Sequence, residues 1–405
     1  MGSPKNYAWP ITAISKENYQ AVVDCLLSNS VFREKKILVF GAGIRGAELA
    51  VIMKKLGFTN IIFTDNNSEK WGGVIDSYPI ISVRDALNLR EQVVSIISTE
   101  EGESICDQLE KAGFVRNKTY FYPLPNLYDR FISEFKRQQR EKILVMGDCM
   151  FEVVSFDDAN KDSLTEMLYQ RLGYDNVKLL TMHGMGLPAF YHVLKAQINM
   201  GYKPNVFVVM LNFETLTGKQ HLLPRSQHTK LMKAVSEIAP DKDGELRKYY
   251  LLTMERVNNV KSEFFTTEKF ATGNNDAGLI SDGASRLFFK LHYMYDLDTN
   301  IESLMYLRKI MMLGIDNGIK IVPFVPPVNY ERGCELFGTD FESAYSHNLK
   351  LLSDLVVKGG FKLLDLSHIC TKEEFAHVTT PDETTNYIGR CKITDAICSE
   401  IKRSI

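Results

Sequence analysis

Short, uninterrupted apolar runs alternate with longer segments of helical periodicity along most of the chain. That is the pattern of strands buried on both faces and the helices that cover them. The first run, residues 37–40, enters a glycine turn and then a helical segment that Gly57 stops. A second run ends at Asp65, a third starts at Val93, and a helix is expected over 102–112. Residues 126–141 are polar and helical in pattern, and read as a linker helix at a domain boundary. The rhythm then restarts, with strands expected at 142–148, 176–184 and 205–212 and helices at 164–172 and 187–201. Residues 215–300, rich in charge and aromatic side chains, read as a mostly helical insertion, a lid over the site. A helix at 301–315, a strand at 320–327, a helix at 343–357, a strand at 362–367 and a last helix from 393 follow. The expected fold is α/β, with two parallel-sheet domains at 1–125 and 142–405.

A length of 405 residues exceeds one ordinary core and agrees with two domains. With 45% hydrophobic and 24% charged residues, the composition is that of a soluble globular protein. The formal net charge of −2 gives no electrostatic reason to expect nucleic acid as a partner. No apolar stretch reaches the roughly 18 to 20 residues of a membrane span, and no secretory signal pattern opens the chain. The seven cysteines are scattered without zinc spacing, so a cytoplasmic setting and no metal site are expected.

Gly41, Gly43 and Gly46 form GxGxxG directly after a strand and before a helix. The spacing allows a tight turn, close approach of a phosphate and close helix–strand packing, with Asp65 placed to meet a ribose. A turn of this kind also needs small residues for packing alone. The stretch from Phe40 to Gly73 resembles a small Rossmann-like module found beside sugar-modifying enzymes. The resemblance implies a nucleotide, NAD(P) or a nucleotide-sugar as ligand, or a module that only positions its neighbour.

The second domain carries Gly147-Asp148-Cys149 at the end of its first strand, Gly184 and Gly186 after the second, and Asn212 after the third. Asp382, Asn386 and Gly389 precede the last helix. On these residues the domain resembles the SGNH (GDSL-like) hydrolase and acyltransferase superfamily. The resemblance implies a flavodoxin-like sheet, a nucleophile at Cys149 beside Asp148, and an oxyanion site at Gly186 and Asn212. Asp382 would belong to the final block, whose histidine falls at Thr384 or Thr385 in this chain. A cysteine in place of serine is chemically competent, and certain capsular-polysaccharide biosynthesis proteins look similar there. Loss of the histidine removes a group that contributes about 10² to 10⁴ in rate.

His183 and His377 are the leading substitutes for that base, with His221 and His228 of the insertion behind them. The expected activity is acyl or ester transfer or hydrolysis on a sugar, glycan or sugar nucleotide in surface-polysaccharide biosynthesis, with acyl-CoA as a donor. Two alternatives stay open: an inactive SGNH-like binding protein, and a nicotinamide-dependent enzyme acting through the first domain.

Overall fold

The computed structural model describes residues 13–99, 102–124, 127–137, 142–217, 227–259, 282–376 and 383–405. By their internal contacts these fall into two compact units, one ending before residue 127 and one running from Leu127 onward. Both are α/β, built on sheets in which parallel pairing dominates.

In the first unit, β1 (Ala13–Ser15) leads into the helix Lys16–Ser28, whose N-terminus the Ser15 side chain caps. Then come β2 (Lys36–Phe40), β3 (Ile61–Thr64), β4 (Val74–Ile75), β5 (Tyr78–Ile81), β6 (Val93–Ile97) and β7 (Tyr120–Phe121). The sheet order is β4-β5-β3-β2-β6-β7. Every pair is parallel except the β4–β5 hairpin, where Asp76 and Ser77 take the positive φ values that a tight hairpin turn requires. β2, β3 and β6 are apolar and buried almost throughout, as strands covered on both faces must be.

The second unit contains β8 (Ile143–Gly147), β9 (Val153–Ser155), β10 (Val177–Thr181), β11 (Val206–Met210), β12 (Lys320–Val325) and β13 (Leu364–Asp365). Five of them form an all-parallel sheet in the order β10-β8-β11-β12-β13. Successive side chains point to opposite faces. Leu144, Met146, Phe207 and Val209 therefore join one core cluster, and Ile143, Val145, Val206 and Val208 join another. The helices Leu187–Asn199, Glu302–Asn317 and Thr339–Lys358 cover the first face, and Leu164–Leu172 and Tyr387–Ser404 cover the second.

Three expectations change. The segment read as a linker forms the helix Leu127–Lys136, and it buries Phe131 and Phe135 in the second unit's core. Its polar surroundings masked an apolar stripe at helical spacing. The described parts of the insertion are the helices Thr229–Ile238, Glu245–Asn259 and Asp282–Tyr293. Met232, Val235, Tyr249, Phe289 and Tyr293 lie in the main core, so these helices are built into the domain rather than laid over it as a lid. The last helix starts at Tyr387 rather than at 393, because Asn386 caps it by accepting from Gly389 N. Among the described residues, no helix is long and apolar enough to cross a membrane.

Candidate functional site

From β8 the chain passes to β10 on one side, then crosses to β11 on the other. The crevice beyond the carboxyl ends of β8 and β11 is therefore a switch point, where parallel sheets bind their ligands. Asp148 follows β8 and caps the short turn Cys149–Phe151, with Oδ1 accepting from Met150 N at 3.0 Å. A Cβ on Gly147 would lie 2.1 Å from the Phe151 ring, so glycine is what lets the turn fold back on the strand. The other carboxylate oxygen, Oδ2, accepts from Asn212 Nδ2 at 3.0 Å. Both residues are buried. Asn212 Oδ1 in turn accepts from Glu214 N, and its carbonyl accepts from the Thr215 hydroxyl.

The loop after β10 joins them. Met182 N donates to Gly147 O, and Gly186 opens the helix Leu187–Asn199 in contact range of Thr215. Cys149, Asp148, Gly186 and Asn212 therefore sit on three loops that meet at one sheet edge. None of the seven cysteines is in a disulfide, and Cys149 is half-buried. Burial pushes the thiols of Cys25 and Cys370 up to about 12, which keeps both protonated and inert.

His183 lies on the same loop as Gly186. His228 of the insertion comes to it, its ring against the Gly184 carbonyl and close to His183. Burial pushes the His228 imidazole down to about 4, so it is neutral at pH 7. His377 and Asp382, like His221, lie outside the described residues. Thr384 and Thr385 are buried, and the Thr385 hydroxyl has no hydrogen-bond partner among the described residues. Their segment is pinned by Ala376 N to Thr384 O and by Arg390 Nη1 to Thr385 O. Arg390 is wholly buried, and it also bonds Asp158, Asn160 and Asp162. Neither threonine has the chemistry of a base at neutral pH.

Other polar groups at this edge escaped the sequence reading. Glu152 is buried and accepts from Arg130, Thr165 and Thr181. Burial opposes its ionisation, but the Arg130 charge and these bonds outweigh that and hold the carboxyl below its usual range. Tyr293 OH donates to Glu383 Oε1 at 2.9 Å, and His292 Nε2 stands 3.6 Å from Glu214 Oε1. Burial, and then the Glu383 charge, drives the Tyr293 phenol well above its ordinary value. Glu383 is the neighbour of the expected Asp382. His292 and Tyr293 carried only a helical, aromatic signal in the sequence.

In the first unit the glycine turn is close-packed. Gly41 has φ +117°, and a Cβ on Gly46 would stand 2.0 Å from Gly41 O. Gly43 faces open space and begins the helix Ile44–Lys55, leaving room for an anion at its N-terminus. Asp65, expected to face a ribose, is already engaged. Its Oδ2 accepts from Ala42 N at 2.7 Å and from Lys70 Nζ at 2.9 Å, and its Oδ1 accepts from Asn67 N. A carboxylate has about four acceptor positions, so one remains for a hydroxyl.

No protein-family model matches the chain, and no curated protein matches it at a significant level.

Proposed function

We propose that the second unit is a flavodoxin-like, SGNH-type domain that transfers an acyl group to or from a carbohydrate or sugar nucleotide through Cys149. The observation that carries this reading is the Asn212–Asp148 hydrogen bond at the switch point, which fixes the turn on which Cys149 stands. In the reaction, Cys149 Sγ attacks the acyl carbonyl carbon. The C–S bond forms as the bond to the donor's leaving group breaks, and the leaving group departs with that electron pair and takes up the proton lost by the thiol. An acceptor hydroxyl oxygen then attacks the thioester, its proton passes to a base, and the thiolate leaves. On this reading the Gly186 N–H and the second Asn212 amide hydrogen would donate to the oxyanion, and donors of that kind each lower the barrier by about 3 kcal/mol.

The first unit is a Rossmann-like module on this reading, and Gly43 with the helix Ile44–Lys55 would hold a nucleotide or nucleotide-sugar phosphate. The residues fit such a group at the phosphate end, where Gly43 is open, and Asp65 offers one acceptor at the ribose end. A carbohydrate acceptor delivered as a sugar nucleotide agrees with surface-polysaccharide biosynthesis in the cytoplasm.

A second reading, a binding protein of the same fold without turnover, draws on the buried Thr384 and Thr385 where the family has its histidine. Intact mass after incubation with acyl-CoA or an activated ester separates the two. The transferase reading expects one acyl adduct on the protein and none on Cys149→Ala. Unmodified protein with every donor, together with retained glycan binding, would favour the second.

A further inference from the structure

A dinucleotide lies across the crevice where the strand order of a parallel sheet reverses, with one nucleotide on each side. In the first unit that reversal falls at β2, which has β3 on one side and β6 on the other. The glycine turn after β2 is closed on the β6 side and open on the β3 side.

On the β6 side the chain fills the space itself. The Ser98 hydroxyl donates to Gly41 O at 2.8 Å, and a Cβ on Gly41 would stand 2.6 Å from that hydroxyl oxygen. Ile14, Asn18, Arg45 and Leu124 close around Ser98 and leave a cavity of about 10 Å³. That is room for one water-sized group and not for a second nucleotide. The Asn18 side chain borders the cavity and is 1% exposed, and neither of its amide atoms has a hydrogen-bond partner among the described residues. Such buried atoms are the exception in folded proteins, and a single oxygen placed in the cavity would meet them.

On the β3 side, Gly43 meets nothing within 4 Å and starts the helix Ile44–Lys55. Lys70 Nζ stands 2.9 Å from Asp65 Oδ2 and balances its charge, so the carboxylate does not repel a phosphate at that helix end. Trp71 is 40% exposed although its one polar atom is satisfied, Nε1 donating to Asp65 O at 2.7 Å. Asp65 Oδ2 in turn accepts from Ala42 N at 2.7 Å. Through these two bonds the indole nitrogen lies no more than about 10 Å from Ala42 N, within the span of one nucleotide. An indole fixed at its N–H edge and still exposed offers ring surface on which a base stacks, whatever the base.

We infer that the first unit takes a mononucleotide, a nucleoside diphosphate or its sugar ester, with phosphate at the Gly43 helix end and the base stacked on Trp71, and that it excludes a dinucleotide. The inference rests on the nucleotide reading of the first unit above.

The test uses the full chain, whose two tryptophans are Trp9 and Trp71. With Trp9→Phe in place, Trp71 is the sole indole reporter. Uridine diphosphate, adenosine diphosphate, NAD+ and inorganic pyrophosphate are titrated by calorimetry and by indole fluorescence. A nucleoside diphosphate should quench Trp71 emission and bind about tenfold or more tighter than NAD+ or pyrophosphate. Trp71→Ala should weaken that binding about 10- to 100-fold, while Trp71→Phe, which keeps a ring but no N–H, should stay within about threefold. Circular dichroism and melting temperature establish that both variants are folded. Binding without quenching, equal losses in the two variants, or unchanged binding in Trp71→Ala overturns this inference alone. So does NAD+ or pyrophosphate bound as tightly as the nucleoside diphosphate. If neither diphosphate binds the parent, the nucleotide reading of the first unit falls and this one with it.

Discussion

Asn212 Nδ2 donates to Asp148 Oδ2 across 3.0 Å, joining the ends of two neighbouring parallel strands, β11 and β8, at buried positions. The same amide accepts from Glu214 N through its oxygen, so one side chain sets both the nucleophile turn and the turn after β11.

Asn212→Ala removes a donor to a buried carboxylate and an acceptor for a backbone N–H at once. The expected cost is about 1–3 kcal/mol, read as a lower urea midpoint with an unchanged slope. A fall in the slope instead would mean that the two loops had come apart before global unfolding.

The two glycines that follow Gly41 should respond in opposite ways. Gly46→Ala drives a Cβ into the Gly41 carbonyl at 2.0 Å, and backbone cannot yield cheaply, so a loss of about 1–3 kcal/mol or more is expected. Gly43→Ala meets nothing within 4 Å and has an ordinary extended backbone, so stability should stay within about 0.5 kcal/mol. If the first unit takes a phosphate there, Gly43→Ala should also abolish thermal stabilisation by nucleotide-sugars or NAD(P). Equal thermal stabilisation of parent and variant would place any nucleotide elsewhere.

His192 supplies a pH dependence. It is buried, stacks on Tyr249 at 4.2 Å between ring centroids and bonds Tyr306 OH through Nε2. Burial pushes its imidazole down to about 3 from an ordinary 6.5. Between those values the unfolded chain binds a proton that the folded chain refuses, so stability falls as pH drops below about 6.5. The neighbouring Glu245 adds to the same trend below its ordinary value. Burial opposes its ionisation, but bonds from Lys195, Lys309 and Tyr191 outweigh that and bring it to about 2. His192→Phe should flatten the upper part of this acid limb, from pH 6.5 to about 4.5, in chemical denaturation series. An unchanged limb would assign it to other groups.

The unbroken apolar runs at 37–40, 143–146 and 206–211 determined buried parallel strands without help from tertiary structure. A strand covered on both faces has no polar side to display, and that is a local property of composition. Gly41, Gly43 and Gly46 were legible for a similar reason, since their spacing answers to the geometry of one turn. So were Asp148, Cys149 and Asn212 as strand-end residues. What the chain could not announce was which distant groups would meet them. Residues 126–141 looked like a linker because their charges outnumber the apolar stripe that includes Phe131 and Phe135, and only a waiting core shows where those two rings go. His292 with Glu214, and Tyr293 with Glu383, are pairs separated by tens of residues or more. They follow from how the insertion's helices close against the sheet edge, which no periodicity records. Side chains become a site through long-range packing, and packing is settled by the whole core at once rather than by any segment of it.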